Sequence, residues 1–218
     1  MISAKTFDPF YMMLALTALS LLPFVAIMVT SFVKISVVLA LVRNALGIQQ
    51  IPPNMVINGL AVILSIYVMA PVGQDMYDIL VKAIEKKDNT VQLLKSAVEA
   101  KEPLRKFLLK HSESKERLFF VQSAKGLWQN EAAGKLKQDD LVVLIPAFTV
   151  NELTSAFKIG FLIYLPFVVI DLIISNILLS LGMIMLSPMM ISLPFKLLLF
   201  VLTDGWTKLI HGLVLSFR

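Results

Sequence analysis

The stretch IGFLIYLPFVVIDLIISNILLSLGMIMLSPMMISLPFKLLLFVLT, residues 159–203, decides the fold class. Its only charged residues are Asp171 and Lys196. A bilayer core about 30 Å thick takes roughly 20 apolar residues in a helix, so this length suits two spans. Gly182 and Ser187-Pro188 supply turn residues near its middle. The stretch is therefore predicted to form an apolar helical hairpin, which we assign to residues 141–218.

Two more apolar stretches lie nearer the start of the chain. Residues 10–33 and 51–74 carry no charge, and each is long enough to cross a membrane as one helix. Glycine and proline residues within 44–54 are typical of a helix stop followed by a turn. We therefore predict an N-terminal apolar hairpin over residues 1–74.

Residues 75–140 between the hairpins have a different composition. They hold 13 of the 20 Lys and Arg residues and 11 of the 15 Asp and Glu residues. Apolar residues recur among them at helical spacing, which indicates water-facing amphipathic helices. The charges are the usual solvated face of such helices, and their near balance leaves no basic surface for nucleic acid. The predicted fold is all-α, with four apolar segments in two hairpins and a polar insert.

Composition excludes several classes of function. Of 218 residues, 57% are hydrophobic and 16% charged, and the mean hydropathy of +0.80 is that of a membrane protein. The chain has no cysteine and only two histidines, so thiolate chemistry and thiolate-bound zinc are excluded. No nucleophile elbow, phosphate-binding glycine loop or metal-spaced histidine is present. We therefore expect that the protein is not an enzyme and that it has no catalytic residue, metal or cofactor.

Two local patterns predict details of the C-terminal hairpin. Thr149 and Glu152 have the spacing of a capping box, which predicts a helix start there. Pro188 and Pro194 bracket a segment that we expect not to be a smooth helix. Irregular backbone at membrane depth favours a lumen or a constriction.

Three charged residues lie in apolar segments, where burying a charge costs free energy. Lys34, Asp171 and Lys196 fall inside apolar segments, where each needs a partner or water. Asp171 and Lys196 lie at similar distances from the predicted turn, so we predict an ion pair within the hairpin. A similar count of residues from the turn predicts a second, less well matched pair between Lys158 and Asp204. The alternative for Asp171 is a proton or ion path, which would usually need more acidic or histidine groups than this half offers.

Methionines cluster at the predicted turn. Four of the 11 in the chain lie within eight residues: Met183, Met185, Met189 and Met190. Methionine is unbranched and polarizable, so several together can close an irregular gap and still let a varied object pass. They could equally meet lipid or fill a core, and the pattern alone leaves both open.

Short motifs over most of the chain outside the insert resemble one known family. The first half has TSF at 30–32, LVRNALG at 41–47, PPN at 52–54 and MAP at 69–71. The second half has PAFTVNEL at 146–153, AFKIGF at 156–161, LPF at 165–167, VID at 169–171, SNIL at 175–178, LPFK at 193–196 and DGW at 204–206. On these motifs the chain resembles the FliP/SctR (YscR, SpaP) family, core export apparatus proteins of type III secretion systems.

The resemblance implies a pore-forming subunit of the export gate, through which unfolded proteins cross the bacterial inner membrane. Family members form a pentamer with two small membrane proteins, in four copies and one copy, beside export-switch and large export-gate proteins. The resemblance also implies that the assembled core projects to the periplasmic side. A methionine-rich loop seals the family's pore, and here it falls on Met183 and Met185 with Met189 and Met190 beside them. Ile184 and Leu186 interrupt what is often a longer methionine run.

The opening of the chain bears on the type of member. Flagellar members typically carry a cleavable signal and injectisome members do not. Lys5 is followed by Asp8, and the apolar run exceeds a signal core, so we expect this segment to be retained and favour an injectisome member. Lysines lie near the ends of the insert, so the positive-inside rule would place the insert in the cytoplasm. The insert is long enough for that rule to weaken.

A small-solute or ion transporter is the alternative function. Lys34 and Asp171 at membrane depth and the proline-broken segments support it. The two hairpins share no visible repeat, and residues 183–190 offer sulfur and methyl groups rather than the ordered polar ligands of an ion filter. These features favour a gate for protein.

Overall fold

The computed structural model describes residues 9–48, 51–85, 96, 98–128 and 134–218. These residues form an all-α fold, as predicted. The helices are α1 (Pro9–Met28), α2 (Phe32–Ala45), α3 (Asn54–Glu85), α4 (Glu102–Lys110), α5 (Ser114–Leu127), α6 (Leu141–Ser180), α7 (Pro188–Leu202) and α8 (Gly205–Leu215).

Helix α2 forms the centre of the core. Its residues Ile35, Val38, Leu39 and Val42 are almost completely buried, and they recur at the i, i+3, i+4, i+7 spacing of one helix face. Helix α2 packs most extensively on α6 and next most on α3. Burying a short helix on two long ones satisfies its apolar face within a single chain.

A stripe along α6 faces α2. It repeats every fourth residue and is buried throughout: Leu144, Phe148, Glu152, Ala156 and Gly160. A Cβ atom at Gly160 would lie 2.3 Å from Cδ1 of Leu41, so the missing side chain lets the two helices approach closely.

The first apolar stretch is not one straight helix, which corrects the prediction of a single helix over residues 10–33. Helix α1 ends at Met28, α2 begins at Phe32, and their axes differ by 62°. At the break, the buried Ser31 hydroxyl donates a hydrogen bond to the Ser65 hydroxyl of α3 over 3.1 Å. Hydropathy shows only that the stretch is apolar. It could not predict this break, because the side-chain contact found there forms only in the folded chain.

The predicted capping box is also wrong. Helix α6 begins at Leu141 with Asp140 as its N-cap residue, so Thr149 and Glu152 lie inside the helix. The Thr149 hydroxyl donates to the carbonyl of Ile145 over 2.8 Å, which is the usual bond of a threonine within a helix. The capping-box spacing also occurs inside helices, where the amides already have partners.

The segment between Pro188 and Pro194 is helical, contrary to the prediction of irregular backbone. Pro188 lies in the first turn of α7, where a missing amide proton costs nothing, and Pro194 lies within the helix. The break comes later: α7 and α8 meet at 61° beside Asp204, which has a left-handed backbone with φ of 51°.

Among the described residues, two helices are long and apolar enough to cross a membrane, residues 54–84 of α3 and the whole of α6. The number rises to four if each bent pair, α1 with α2 and α7 with α8, counts as one span. Helix α3 also continues past residue 74 into the segment predicted as the insert.

Candidate functional site

The methionine cluster lies at the tip of the hairpin formed by α6 and α7. Helix α6 closes with a Schellman motif: the amide of Met183 bonds the carbonyl of Leu178, and the amide of Gly182 bonds that of Leu179. Gly182 has φ of +72°, a conformation that glycine adopts without strain. The turn thus lies where Gly182 predicted it.

All four methionines of the tip are exposed in the folded chain. Met185 is completely exposed and Met183 is 46% exposed, with Met189 and Met190 in between. None of the four is among the buried core residues of this chain. Their exposed sulfur and methyl groups are available to lipid, to another subunit or to a lumen.

A polar network lies close to this tip. Lys196 on α7 places its Nζ 2.6 Å from Oδ2 of Asp171 on α6, and the Ser192 hydroxyl donates to Oδ1 of Asp171 over 2.5 Å. Lys196 is buried, whereas Asp171 is about one-third exposed. The structure therefore brings the predicted partners into contact, and Ser192 is a member that the sequence did not indicate.

The same lysine reaches the end of α2. Its Nζ also donates to the carbonyl of Ala45, the last residue of that helix, over 3.4 Å. The last carbonyls of a helix lack amide partners and carry the negative end of its dipole, so a cation is favourable there. Lys196 thus connects the second hairpin to the turn of the first.

A second buried ion pair connects α2 and α6. Nζ of Lys34 lies 3.0 Å from Oε1 of Glu152, with both side chains at most 4% exposed, and 3.9 Å from the centre of the Phe217 ring. Oε2 of Glu152 is buried without a hydrogen-bond partner among the described residues. The sequence predicted no partner for Lys34, and it predicted that Glu152 is part of a capping box. The fourfold spacing of the α6 stripe could have placed Glu152 on the buried face.

The looser pairing of Lys158 with Asp204 is not observed. The ion pairs among the described residues join Lys34 to Glu152, Lys196 to Asp171, and Arg105 to Glu102 and Asp139. The bend between α7 and α8 changes the register that a straight hairpin would have given.

His111 lies where the insert meets the core. Its ring packs against Phe107 and Phe217 at centroid distances of 4.7 and 5.5 Å, and its carbonyl accepts a 2.7 Å hydrogen bond from the Asn151 amide. Burial first, and then the charges of Lys34 and Lys110, lower the pKa of His111 from 6.5 to about 4. The ring is therefore neutral at neutral pH. Across the described ranges, no three His, Asp or Glu side chains are grouped to hold a metal ion.

Comparison with known proteins places this geometry in a family. The model of the FliP family matches residues 15–213. The Yop proteins translocation protein R of Yersinia pestis is 57% identical over 210 residues, which cover 96% of this chain and 97% of that protein. The hypersensitivity response secretion protein HrcR of Ralstonia nicotianae is 53% identical over 203 residues, covering 92% and 94%. The virulence protein YscR of Salmonella typhimurium is 47% identical over 217 residues, covering 96% and 97%.

Proposed function

This chain belongs to the FliP family of type III secretion proteins, and from that premise we propose that it is a pore-forming subunit of the export gate. In this function, unfolded proteins pass through the assembled subunits across the bacterial inner membrane. The observation that carries the proposal is the methionine tip, whose four methionines are exposed at the end of a hairpin that is apolar enough for a membrane.

The tip has the chemistry of a compliant seal. Met183 and Met185 project from a turn of known geometry, and their side chains have three rotatable bonds each. Copies of this tip arranged around an axis would present thioethers that adapt to the varied side chains of a passing chain. They would also exclude water and ions when no chain is present, because the ring offers no polar ligand for an ion.

The polar network supports the seal from behind. Asp171, Ser192 and Lys196 join α6 to α7 below the tip, and Lys196 joins both to the end of α2. A flexible side chain seals well only if its backbone is held in place, so we assign these residues a positioning role. Because Asp171 and Glu152 are each paired with a lysine, a proton relay through either would first have to break an ion pair.

The proposed assembly follows the family. Five copies would form a ring with the two small export-apparatus membrane proteins and act with the export-switch and large export-gate proteins. In this arrangement residues 1–74 and 141–218 form the two apolar hairpins, and residues 75–140 form a polar insert on the periplasmic side. Lipid would cover the apolar faces that subunits leave free.

The seal is tested by ion conductance. We expect the double substitution Met183→Ala and Met185→Ala to let small ions leak through the assembled complex, because it removes two thioethers from every copy of the ring. Conductance would be recorded in planar bilayers for the full chain coexpressed with its two small partners.

A matched control comes from α1. Met12 and Met13 are exposed to a similar extent but lie far from the tip in sequence, so alanine at both positions should leave conductance unchanged. If the tip variant assembles normally and conducts like the control, the seal is not formed by these residues.

A further inference from the structure

A wedge-shaped groove lies between α6, α7 and α8. The 61° bend beside Asp204 turns α8 away from the line of α7 and opens a cavity of about 470 Å³. This volume lies within the range of about 300–1,000 Å³ that holds drug-sized ligands. Its apolar wall consists of Ile163, Pro166, Phe167, Leu199, Phe200 and Leu209.

The floor of the groove is rigid. The rings of Phe167 and Phe200 are both almost fully buried, with centroids 6.4 Å apart. Gly205 opens α8 directly over Phe200, and a Cβ atom there would lie 2.4 Å from that ring. The groove is therefore present in the fold before any ligand arrives, which keeps the entropic cost of binding low.

One cation stands in this apolar lining. Lys208 of α8 is exposed, and it has no ion pair among the residues that the structure describes. Asp204, the N-cap residue of α8, lies one turn earlier, yet no salt bridge joins the two side chains. An apolar floor with an unpaired ammonium group complements a molecule that has a hydrocarbon chain and an anionic head.

We propose that this groove binds an anionic phospholipid, with one acyl chain against Phe167 and Phe200 and the phosphate against Lys208. The bent pair of α7 and α8 is apolar enough to lie in a membrane, where such lipids are the abundant anionic amphiphiles. Each buried methylene of the chain favours binding, and the lysine adds attraction to the head. The proposal does not depend on the export function.

Native mass spectrometry of the full chain in mild detergent tests this site. The chain would be mixed with phosphatidylglycerol or with phosphatidylcholine of the same acyl chains, and retained lipid counted. We expect about fivefold more phosphatidylglycerol to be retained, a preference that Lys208→Gln removes and Lys208→Arg restores. Lys115→Gln, which removes an exposed lysine of α5 outside the groove, should leave the preference unchanged.

Two further variants distinguish the contribution of the lipid head group from that of the acyl chain. Asp204→Asn removes the acidic side chain one turn before Lys208 and should increase phosphatidylglycerol retention, and asparagine tolerates the left-handed backbone at that position. Thr203→Trp places a bulky group at the groove and should reduce retention of both lipids. Equal retention of the two lipids by the unmodified chain, or an unchanged preference in Lys208→Gln, would overturn the proposal.

Discussion

At the scale of single residues, the ion pair of Lys34 and Glu152 joins α2 to α6 within the core. Both side chains are almost fully buried, so removing one partner leaves a charge without water or counter-ion. The pair is also incompletely satisfied, because Oε2 of Glu152 accepts no hydrogen bond from the part of the chain that the structure describes. Such a pair favours the correct placement of α2 on α6 more than it favours stability itself.

We predict opposite outcomes for breaking this pair and for replacing it. Lys34→Met alone or Glu152→Gln alone should destabilise the chain by about 3–5 kcal/mol, whereas Lys34→Met with Glu152→Leu should recover most of that loss. Thermal unfolding of the full chain in detergent measures all three variants. A double variant as unstable as the single variants would show that the ion pair stabilises the fold and does not act through specificity alone.

His111 gives a residue-scale prediction about pH. The folded chain holds its pKa at about 4, below the ordinary value of 6.5, so the unfolded chain binds a proton more readily. The stabilising contribution of the neutral ring is therefore complete above pH 6.5 and declines as the pH falls from 6.5 to about 4. We expect His111→Gln to lose less stability than the unmodified chain over that interval.

The second histidine supplies the control for this comparison. His211 is exposed, so His211→Gln should keep the pH dependence of the unmodified chain. Unfolding midpoints at pH 7.5, 6 and 5 would be compared among the three proteins. Parallel curves for His111→Gln and the unmodified chain would contradict a depressed pKa at this position.

At the scale of elements, the crossing of α2 and α6 depends on one missing side chain. We expect Gly160→Ala to destabilise the chain by about 1–3 kcal/mol, because its Cβ would overlap Leu41 and the helices would have to separate. The measurement is the unfolding midpoint in detergent.

Gly59 on α3 provides the matched substitution. A Cβ atom there meets no described residue within 4 Å, so Gly59→Ala should instead stabilise the helix by about 0.5–1 kcal/mol. The opposite signs separate a packing effect from helix propensity. If both substitutions stabilise, Leu41 moves aside without cost and the close approach does not limit the crossing.

The elements also show which local signals were reliable. Gly47 and Gly182 mark helix ends in the sequence, and both have positive φ at those ends in the structure. The Thr149 and Glu152 spacing failed, because a capping box is defined by unpaired amides and these residues lie in the middle of α6. A glycine signal depends on its own backbone, whereas a capping signal depends on where the helix begins.

At the scale of the whole molecule, one chain leaves much of its apolar surface uncovered. The outer faces of α1, α3 and α6 carry many exposed leucine, isoleucine and phenylalanine side chains. Soluble monomers rarely expose such continuous surface, so lipid or other subunits must cover it. This surface is the physical reason for expecting an assembly.

The native mass of the full chain measures that assembly. Purified in mild detergent, the 24.3 kDa chain should form a discrete species of five copies, about 120 kDa, that gains mass when its two small partners are coexpressed. A monomer or dimer that ignores those partners would favour the transporter alternative over the export gate.

Composition and local pattern were sufficient for the fold class and for the second turn. Hydrophobic runs of about 20 residues require helices in a membrane, since a backbone in lipid must satisfy its own hydrogen bonds. The contact of Asp171 with Lys196 was also predictable, because both lie on one hairpin and their distances along the chain limit their depth.

Only the tertiary structure decided the features that join distant elements. The partner of Lys34 is Glu152, more than one hundred residues away, and no local pattern connects them. The hydrogen bond of Ser31 with Ser65 at the break after α1 likewise joins residues of different helices, and it forms only when those helices pack. Local signals determine which residues form helices, whereas the buried faces of those helices determine which residues meet.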